Sequence, residues 1–120
     1  MKYIAIDGDD VGRRITSCYL SNDQERLGQI SVVLEDATIR IAELLSSKGF
    51  DIIFRAADGV VGQIDGHFCV DDLFSEISSV NTSDITFSAG VGGNLREAYI
   101  ALLSSKSNGK NKISNYSDGL

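Results

Sequence analysis

Asp7 and Asp58 are the acidic residues best placed to work as a pair. Asp7 ends a strand-like run and opens Asp7-Gly8-Asp9-Asp10-Val11-Gly12, and Asp58 sits in the Asp-Gly turn of Ala56-Ala57-Asp58-Gly59. A hairpin turn carrying Asp58, next to a strand ending at Asp7, puts both carboxylates at one sheet edge. Carboxylates that close repel unless a divalent cation sits between them. Magnesium takes few protein oxygens and leaves positions for phosphates, so two Asp side chains and one carbonyl suit it. The turn Gly8-Asp9-Asp10-Val11-Gly12 would aim backbone N–H groups at an anion, helped by the start of a following helix. Lys106 and Lys110 are four apart and are expected on one face of the last helix. Metal, amide cradle and two cations are the parts of a nucleoside-triphosphate site. A solvated acidic turn and an exposed basic helix end would use the same residues, and spacing alone leaves both readings open.

The elements that must position these groups are legible in the periodicity. Lys2 to Ile6 alternates as a strand, and residues 11–20 place Val11, Ile15, Cys18 and Tyr19 on one helical face. Asn22 and Glu25 have capping-box spacing. A long helix follows to about Lys48, with Leu27, Ile30, Leu34, Ala37, Ile41 and Leu44 as a core-facing stripe regular enough to serve also as a partner seam. Asp51 to Ala56 and Val60 to Ile64 read as a hairpin. Val70, Leu73, Phe74, Ile77 and Val80 mark a helix, Ile85 to Ala89 a strand, Asn94 to Gly109 a capped helix, and Ile113 to Tyr116 a last strand. The expected order is β-α-α-β-β-α-β-α-β.

At 120 residues and 12.9 kDa the chain has the length of one domain, residues 1–120. No apolar run is long enough to span a membrane, and Met1-Lys2-Tyr3 runs straight into a strand, so no leader and no membrane partner are expected. Cys18 and Cys69 lack metal-ligand or disulfide spacing and are expected as buried, reduced thiols of a cytoplasmic protein. His67, beside Gly66, reads as an exposed turn residue. Eleven basic against seventeen acidic residues give −6. Proteins that hold long nucleic acid by phosphate neutralisation are usually basic, so that partner class is disfavoured. Residues 1–84 carry −8 and residues 85–120 carry +2, a distribution that suits a small anion bound through a divalent metal.

Phosphoryl transfer to Asp58 is the competing chemistry. Asp9-Asp10, Asp58, Ser88 and Lys106 fall near the spacings of a response-regulator receiver domain. Residues 22–48 read as one helix with no strand inside, however, whereas a receiver alternates strand and helix. Asp58 sits in a hairpin rather than at a strand end. Ser107 follows the lysine where a receiver has proline, and the chain contains no proline.

Taken in order, Asp7-Gly8-Asp9-Asp10-Val11-Gly12, Ala56-Ala57-Asp58-Gly59, Phe87-Ser88-Ala89-Gly90-Val91-Gly92 and Ser105-Lys106-Ser107-Asn108-Gly109-Lys110-Asn111 resemble the motifs of the GGDEF/CRISPR-polymerase palm superfamily. The short length and the first motif are most similar to its minimal CRISPR polymerase family. The resemblance implies an α/β (α+β) polymerase palm: a ferredoxin-like, mostly antiparallel sheet with helices packed on it. By position, Asp7 and Asp58 match the catalytic, metal-binding carboxylates and Gly8 the carbonyl that completes the site. Gly8, Asp9, Asp10, Val11 and Gly12 match the nucleotide-binding turn, and Lys106 and Lys110 the basic clamp on the triphosphate. The implied cofactor is Mg2+, with Mn2+ as a substitute.

The implied function is a nucleotidyltransferase of antiphage defence that joins ATP into a cyclic oligoadenylate, foremost a cyclic dinucleotide, and releases pyrophosphate. The implied partners are ATP, a second copy in a homodimer, and a downstream cyclic-nucleotide receptor or effector. Two positions depart from the superfamily pattern. Gly59 stands where the second motif has another acid, which favours the alternative of a catalytically inactive palm that senses ATP or a cyclic nucleotide. Ile15 stands where diguanylate cyclases have a guanine-reading Asn; it offers no hydrogen bond, which argues for adenine.

Overall fold

In the computed structural model, which describes residues 1–120, the chain runs β1 (Lys2–Gly8), α1 (Val11–Leu20), α2 (Gln24–Ser47), β2 (Asp51–Ala56), β3 (Gly59–Ile64), α3 (Val70–Val80), β4 (Phe87–Gly92), α4 (Leu95–Ser107), β5 (Ile113–Asn115) and a 3-10 turn, Tyr116–Asp118. This is the order expected from periodicity. The sheet order is β2-β3-β1-β4-β5, with every pairing antiparallel except β4 with β5. The result is a mixed α/β palm, as the motifs imply.

Alternation along β1 sends Ile4 and Ile6 to one face and Tyr3, Ala5 and Asp7 to the other. On the first face α2 lays down Ile30, Leu34, Ala37, Ile41 and Leu45 against Ile4, Ile6, Val60 and Val91, and Leu73 and Ile77 of α3 join the same buried cluster. The regular stripe of α2 therefore belongs to the core. Its cap is Asp23, whose side chain accepts the Arg26 N–H at 3.0 Å, and not Asn22. Asn22 takes a left-handed φ of 54° to reverse the chain, while the N–H groups of Asn22 and Asp23 close the end of α1 on the carbonyls of Tyr19 and Cys18.

On the second face α4 lies across β4 and β1, placing Ala98 and Leu102 over Ala5. This contact is close enough to exclude side chains from the strand beneath. A Cβ on Gly90 would fall 2.1 Å from the Leu102 N, and one on Gly92 would fall 2.5 Å from the Glu97 Cβ. The Gly-x-Gly pattern of β4 thus sets the helix-to-sheet distance, and with it the reach of the residues at the end of α4. The β2–β3 half of this face carries no helix. Of the two cysteines, Cys18 is buried as expected, whereas Cys69 is exposed. Cys69 stands in the extended N-cap position of α3, ahead of the turn that packs on the core.

Candidate active site

The register of the sheet assembles the acid pair. Asp7 is opposite Gly59 in the β1–β3 ladder, so Asp58, in the two-residue turn between β2 and β3, lies at the same end as Asp7. The Gly8 N–H donates to the Asp58 carbonyl at 3.0 Å, and a Cβ on Gly8 would lie 3.2 Å from the Asp58 Cβ and 2.8 Å from Val11 Cγ2. Only a glycine lets the end of β1 approach the hairpin this closely. Burial, then the neighbouring Asp58 charge, pushes the Asp7 carboxyl up to about 6, against the pull of Lys106. Asp7 is a carboxylate short of positive charge.

Asp9, two residues on, has the opposite environment. Its carboxylate accepts from Thr86 Oγ1 and Ser88 Oγ, each at 2.7 Å, and from the Asn111 N–H at 3.0 Å. Burial works to raise its pKa, but the hydrogen bonds from Ser88, Thr86 and Asn111, with the Lys106 charge, outweigh it and hold the group below the usual carboxylate range. The Asp9 N–H is also engaged, on the Thr86 carbonyl at 2.9 Å. Of the five residues expected in the nucleotide turn, Asp9 is thus the one that ties the turn to β4 and to the loop after α4.

Asp10 takes a left-handed φ of 62° and begins α1, its side chain accepting no capping bond from the helix N–H groups. Its carboxylate instead meets Lys110 Nζ at 2.5 Å and Arg13 at 3.3 Å, and the Lys110 contact leads in holding its pKa low. The first intrahelical bond is Arg14 N–H to the Asp10 carbonyl, so the N–H groups of Val11, Gly12 and Arg13 precede the helical ladder. An uncapped helix start of this kind is suited to an anion.

The two lysines reach this place by different routes. Lys106 is in the last turn of α4, and its Nζ donates to the Gly8 carbonyl at 2.7 Å and lies 3.2 Å from Asp7 and 3.4 Å from Asp9. Lys110 does not share its helix face, because α4 ends at Ser107. Gly109 turns the chain at φ 112°, and Lys110 and Asn111 follow in the left-handed region at 63° and 49°. Two successive non-glycine residues in that region are strained. The strain is offset by the Asn111 N–H bonding to Asp9 and to Ser88 Oγ, both at 3.0 Å.

A hard divalent cation fits these donors. Asp7, Asp58 and the Gly8 carbonyl offer oxygen only, and a positive group already rests on two of the three. No group of three or more His, Cys, Asp or Glu side chains is placed to hold a metal ion, so the remaining positions around a cation on these donors would fall to water and phosphate, as magnesium prefers. Gly59 lies across from Asp7, and a Cβ there would be 3.7 Å from Asp7 Oδ1. A carboxylate side chain at this position would adjoin Asp7 directly.

Beside the hairpin opens a cleft of about 420 Å³ lined by Ile15 and Tyr19 of α1, Leu27, Ile30, Ser31, Leu34 and Glu35 of α2, and Ala57 of the turn. The sequence places Ile15 and Tyr19 on one helical face, but Ser31 and Glu35 are not singled out by it. The i to i+4 spacing of Leu27, Ser31 and Glu35 beside the core stripe is the signal that locates them. A second cavity of about 290 Å³, near His67 and Cys69, is bounded by Ile64, at the opposite end of β3 from Gly59.

Fold and site together define a palm-type domain: a central acid-bearing strand, an acid-bearing hairpin beside it, and a basic helix end above both. The minimal CRISPR polymerase domain matches residues 3–116, and the chain belongs to that family. Among solved structures, the GGDEF domain of DgcB from Caulobacter crescentus, in complex with c-di-GMP, is similar with a TM-score of 0.61 and 15% identity over 97% of this chain and 77% of that one. The guanylyl cyclase Cya2 aligns over 76% of this chain and 52% of that one with a TM-score of 0.49 and 9% identity. Curated proteins give no match. The chain is a minimal CRISPR polymerase domain with the palm fold of a GGDEF domain, and no helix in it is long and apolar enough to cross a membrane.

Proposed function

We propose that this domain is a magnesium-dependent nucleotidyltransferase that joins ATP into a cyclic oligoadenylate, foremost a cyclic dinucleotide. The observation that carries the reading is the pairing of Asp7 with Asp58 beside the Gly8 carbonyl, with Lys106 on Asp7 and Gly8 and Lys110 on the neighbouring Asp10. In the reaction a ribose hydroxyl oxygen of one ATP bonds to the α-phosphorus of another, the bond to pyrophosphate breaks, and the hydroxyl proton passes to solvent. A magnesium ion supplies charge neutralisation at the reacting phosphate and lowers the pKa of the hydroxyl. Asp7, Asp58 and the Gly8 carbonyl hold the ion. The N–H groups at the start of α1 and the ammonium groups of Lys106 and Lys110 meet the phosphates, where negative charge builds as pyrophosphate departs. The cleft between α1 and α2 takes the base. Six of its eight lining residues are hydrophobic, so it encloses an adenine with moderate rather than strict selectivity over guanine.

Closing a ring requires two nucleotides brought face to face, which a homodimer with two-fold symmetry provides. The helix-free half of the sheet face beside Asp7 is suited to that contact. By register, Phe54 lies beside Val61 and Val61 beside Ala5 on this face. Phe54 is exposed, as are Leu95, Tyr99 and Leu103, spaced four apart along α4. The cyclic product would act in the cytoplasm through a separate receptor, in antiphage defence.

Gly59 favours a second reading, in which the domain binds ATP or a cyclic nucleotide without turning it over. Incubating the protein with each nucleoside triphosphate and Mg2+, and identifying products by mass spectrometry, separates the two. The enzyme yields pyrophosphate and a cyclic adenylate from ATP. A sensor yields neither and still binds nucleotide by calorimetry. Conversion of GTP alone would overturn the adenine assignment.

A further inference from the structure

Lys106 already stands where a metal ion would stand. Its Nζ donates to the Gly8 carbonyl at 2.7 Å and lies 3.2 Å from Asp7 Oδ2, two of the three donors available to a cation in this site. The same ammonium is needed on the triphosphate in the reading above, and one group cannot occupy both places. A divalent ion sharing Gly8 O and Asp7 Oδ2 would repel Nζ at close range.

The surroundings allow Lys106 to move without disturbing the frame. Its backbone is anchored by the adjacent Ser105, whose Oγ is 2.7 Å from both the Ala89 carbonyl and Ser114 Oγ. Its side chain is long, flexible and partly exposed. Asp9 keeps its three hydrogen bonds from Thr86, Ser88 and Asn111 when Lys106 leaves. Asp7 is different: Lys106 is the one cation paired with it, and losing it restores the repulsion with Asp58 unless another cation arrives.

We propose that Lys106 is an internal placeholder cation, displaced from Asp7 and Gly8 by the metal ion and taken up by the nucleotide phosphates, so that metal and nucleotide bind with positive coupling. Without nucleotide, an incoming ion must compete with the ammonium, and the displaced ammonium has no new partner. With a triphosphate present, both cations gain a partner. The inference rests on the nucleotidyltransferase reading in that metal and triphosphate share this site, but it concerns binding and does not require turnover.

The test is Mn2+ binding to the nucleotide-free protein, followed by electron paramagnetic resonance, for the wild type, Lys106→Met, Lys106→Gln and Lys106→Arg. Removing the competing charge in Lys106→Met and Lys106→Gln is expected to tighten nucleotide-free Mn2+ binding by about tenfold, within the range of ordinary coupling between sites. Lys106→Arg keeps the charge and is expected to stay at or below the wild-type affinity. A non-hydrolysable ATP analogue should bind the wild type more tightly when Mn2+ is present, and that gain should shrink in Lys106→Met. If Lys106→Met and Lys106→Gln bind Mn2+ no more tightly than the wild type, the exchange is wrong while the metal site stands. If none of the four proteins binds Mn2+, with or without the analogue, the metal reading falls and takes the exchange with it.

Discussion

Asp7 and Asp9 are two residues apart on one strand end, yet they sit in opposite electrostatic worlds. Asp9 is almost wholly enclosed and receives three hydrogen bonds, and its carboxyl is held below the usual range. Asp7 is more exposed, faces Asp58, and is pushed up to about 6. The chain spends its own donors on Asp9 and leaves Asp7 under-neutralised. A satisfied acid stabilises the frame, whereas an unsatisfied pair attracts a ligand.

The sharpest way to break this contrast is to neutralise the pair. Asp7→Asn or Asp58→Asn should abolish cyclic-nucleotide formation, raising the barrier by at least several kcal/mol, the scale of metal charge stabilisation. Circular dichroism and melting should still show a folded chain. Product formation surviving in both variants would remove the site from the chemistry.

Asp9→Ala should act through the fold instead. It strands the buried Ser88 hydroxyl, takes the side-chain acceptor from Thr86 Oγ1, and leaves the Asn111 N–H with Ser88 Oγ alone. A loss of about 2–4 kcal/mol in denaturant unfolding is expected from that desolvation penalty. An unfolding curve like the wild type's would mean that Asp9 is not the anchor described.

Lys110→Ala separates the enzyme from the sensor. Removing one charged partner of the triphosphate should cost about 1–3 kcal/mol. In an enzyme part of this appears in kcat, and in a sensor all of it appears in nucleotide affinity. Binding and turnover both like the wild type would count against Lys110 as part of the clamp.

The smallest effect is a pH dependence. Because the Asp7 pKa is raised from 3.8 to about 6, the folded chain between those values holds a proton that the unfolded chain has lost. Stability contributed by Asp7 therefore falls as pH rises through this window, and the full penalty stands above pH 6. Asp7→Asn should be more stable than the wild type at pH 7 by about 1–2 kcal/mol, discounted for a side chain still partly exposed. The gap should close as pH falls toward 4, read from paired urea titrations. A gap that widens on acidification would reverse the assignment of Asp7 as the strained acid.

Much of this was legible in residue order. Alternation over Lys2–Ile6, the stripe of α2 and the Asp-Gly hairpin each report a local period or turn preference, and all three elements form where those signals lie. The motifs named the acids and the lysines. Residue order missed the cap at Asp23, the exposure of Cys69 and the placement of Lys110 beyond the helix, each of which depends on how one element ends against another. It could not distinguish Asp7 from Asp9 either. Both are aspartates in one acidic run, and which of them is satisfied depends on Thr86, Ser88 and Asn111, between 77 and 102 residues away in sequence.

Sequence by itself determined the elements, their order and the types of group available for chemistry, because periodicity and turn preference are properties of neighbouring residues. Tertiary structure decided which acids are partnered, where Lys106 rests, and that Gly90 and Gly92 bring α4 close enough to set it there. Charge and burial at a site are sums over atoms brought together from distant parts of the chain, and only the packed sheet and helices fix which atoms those are.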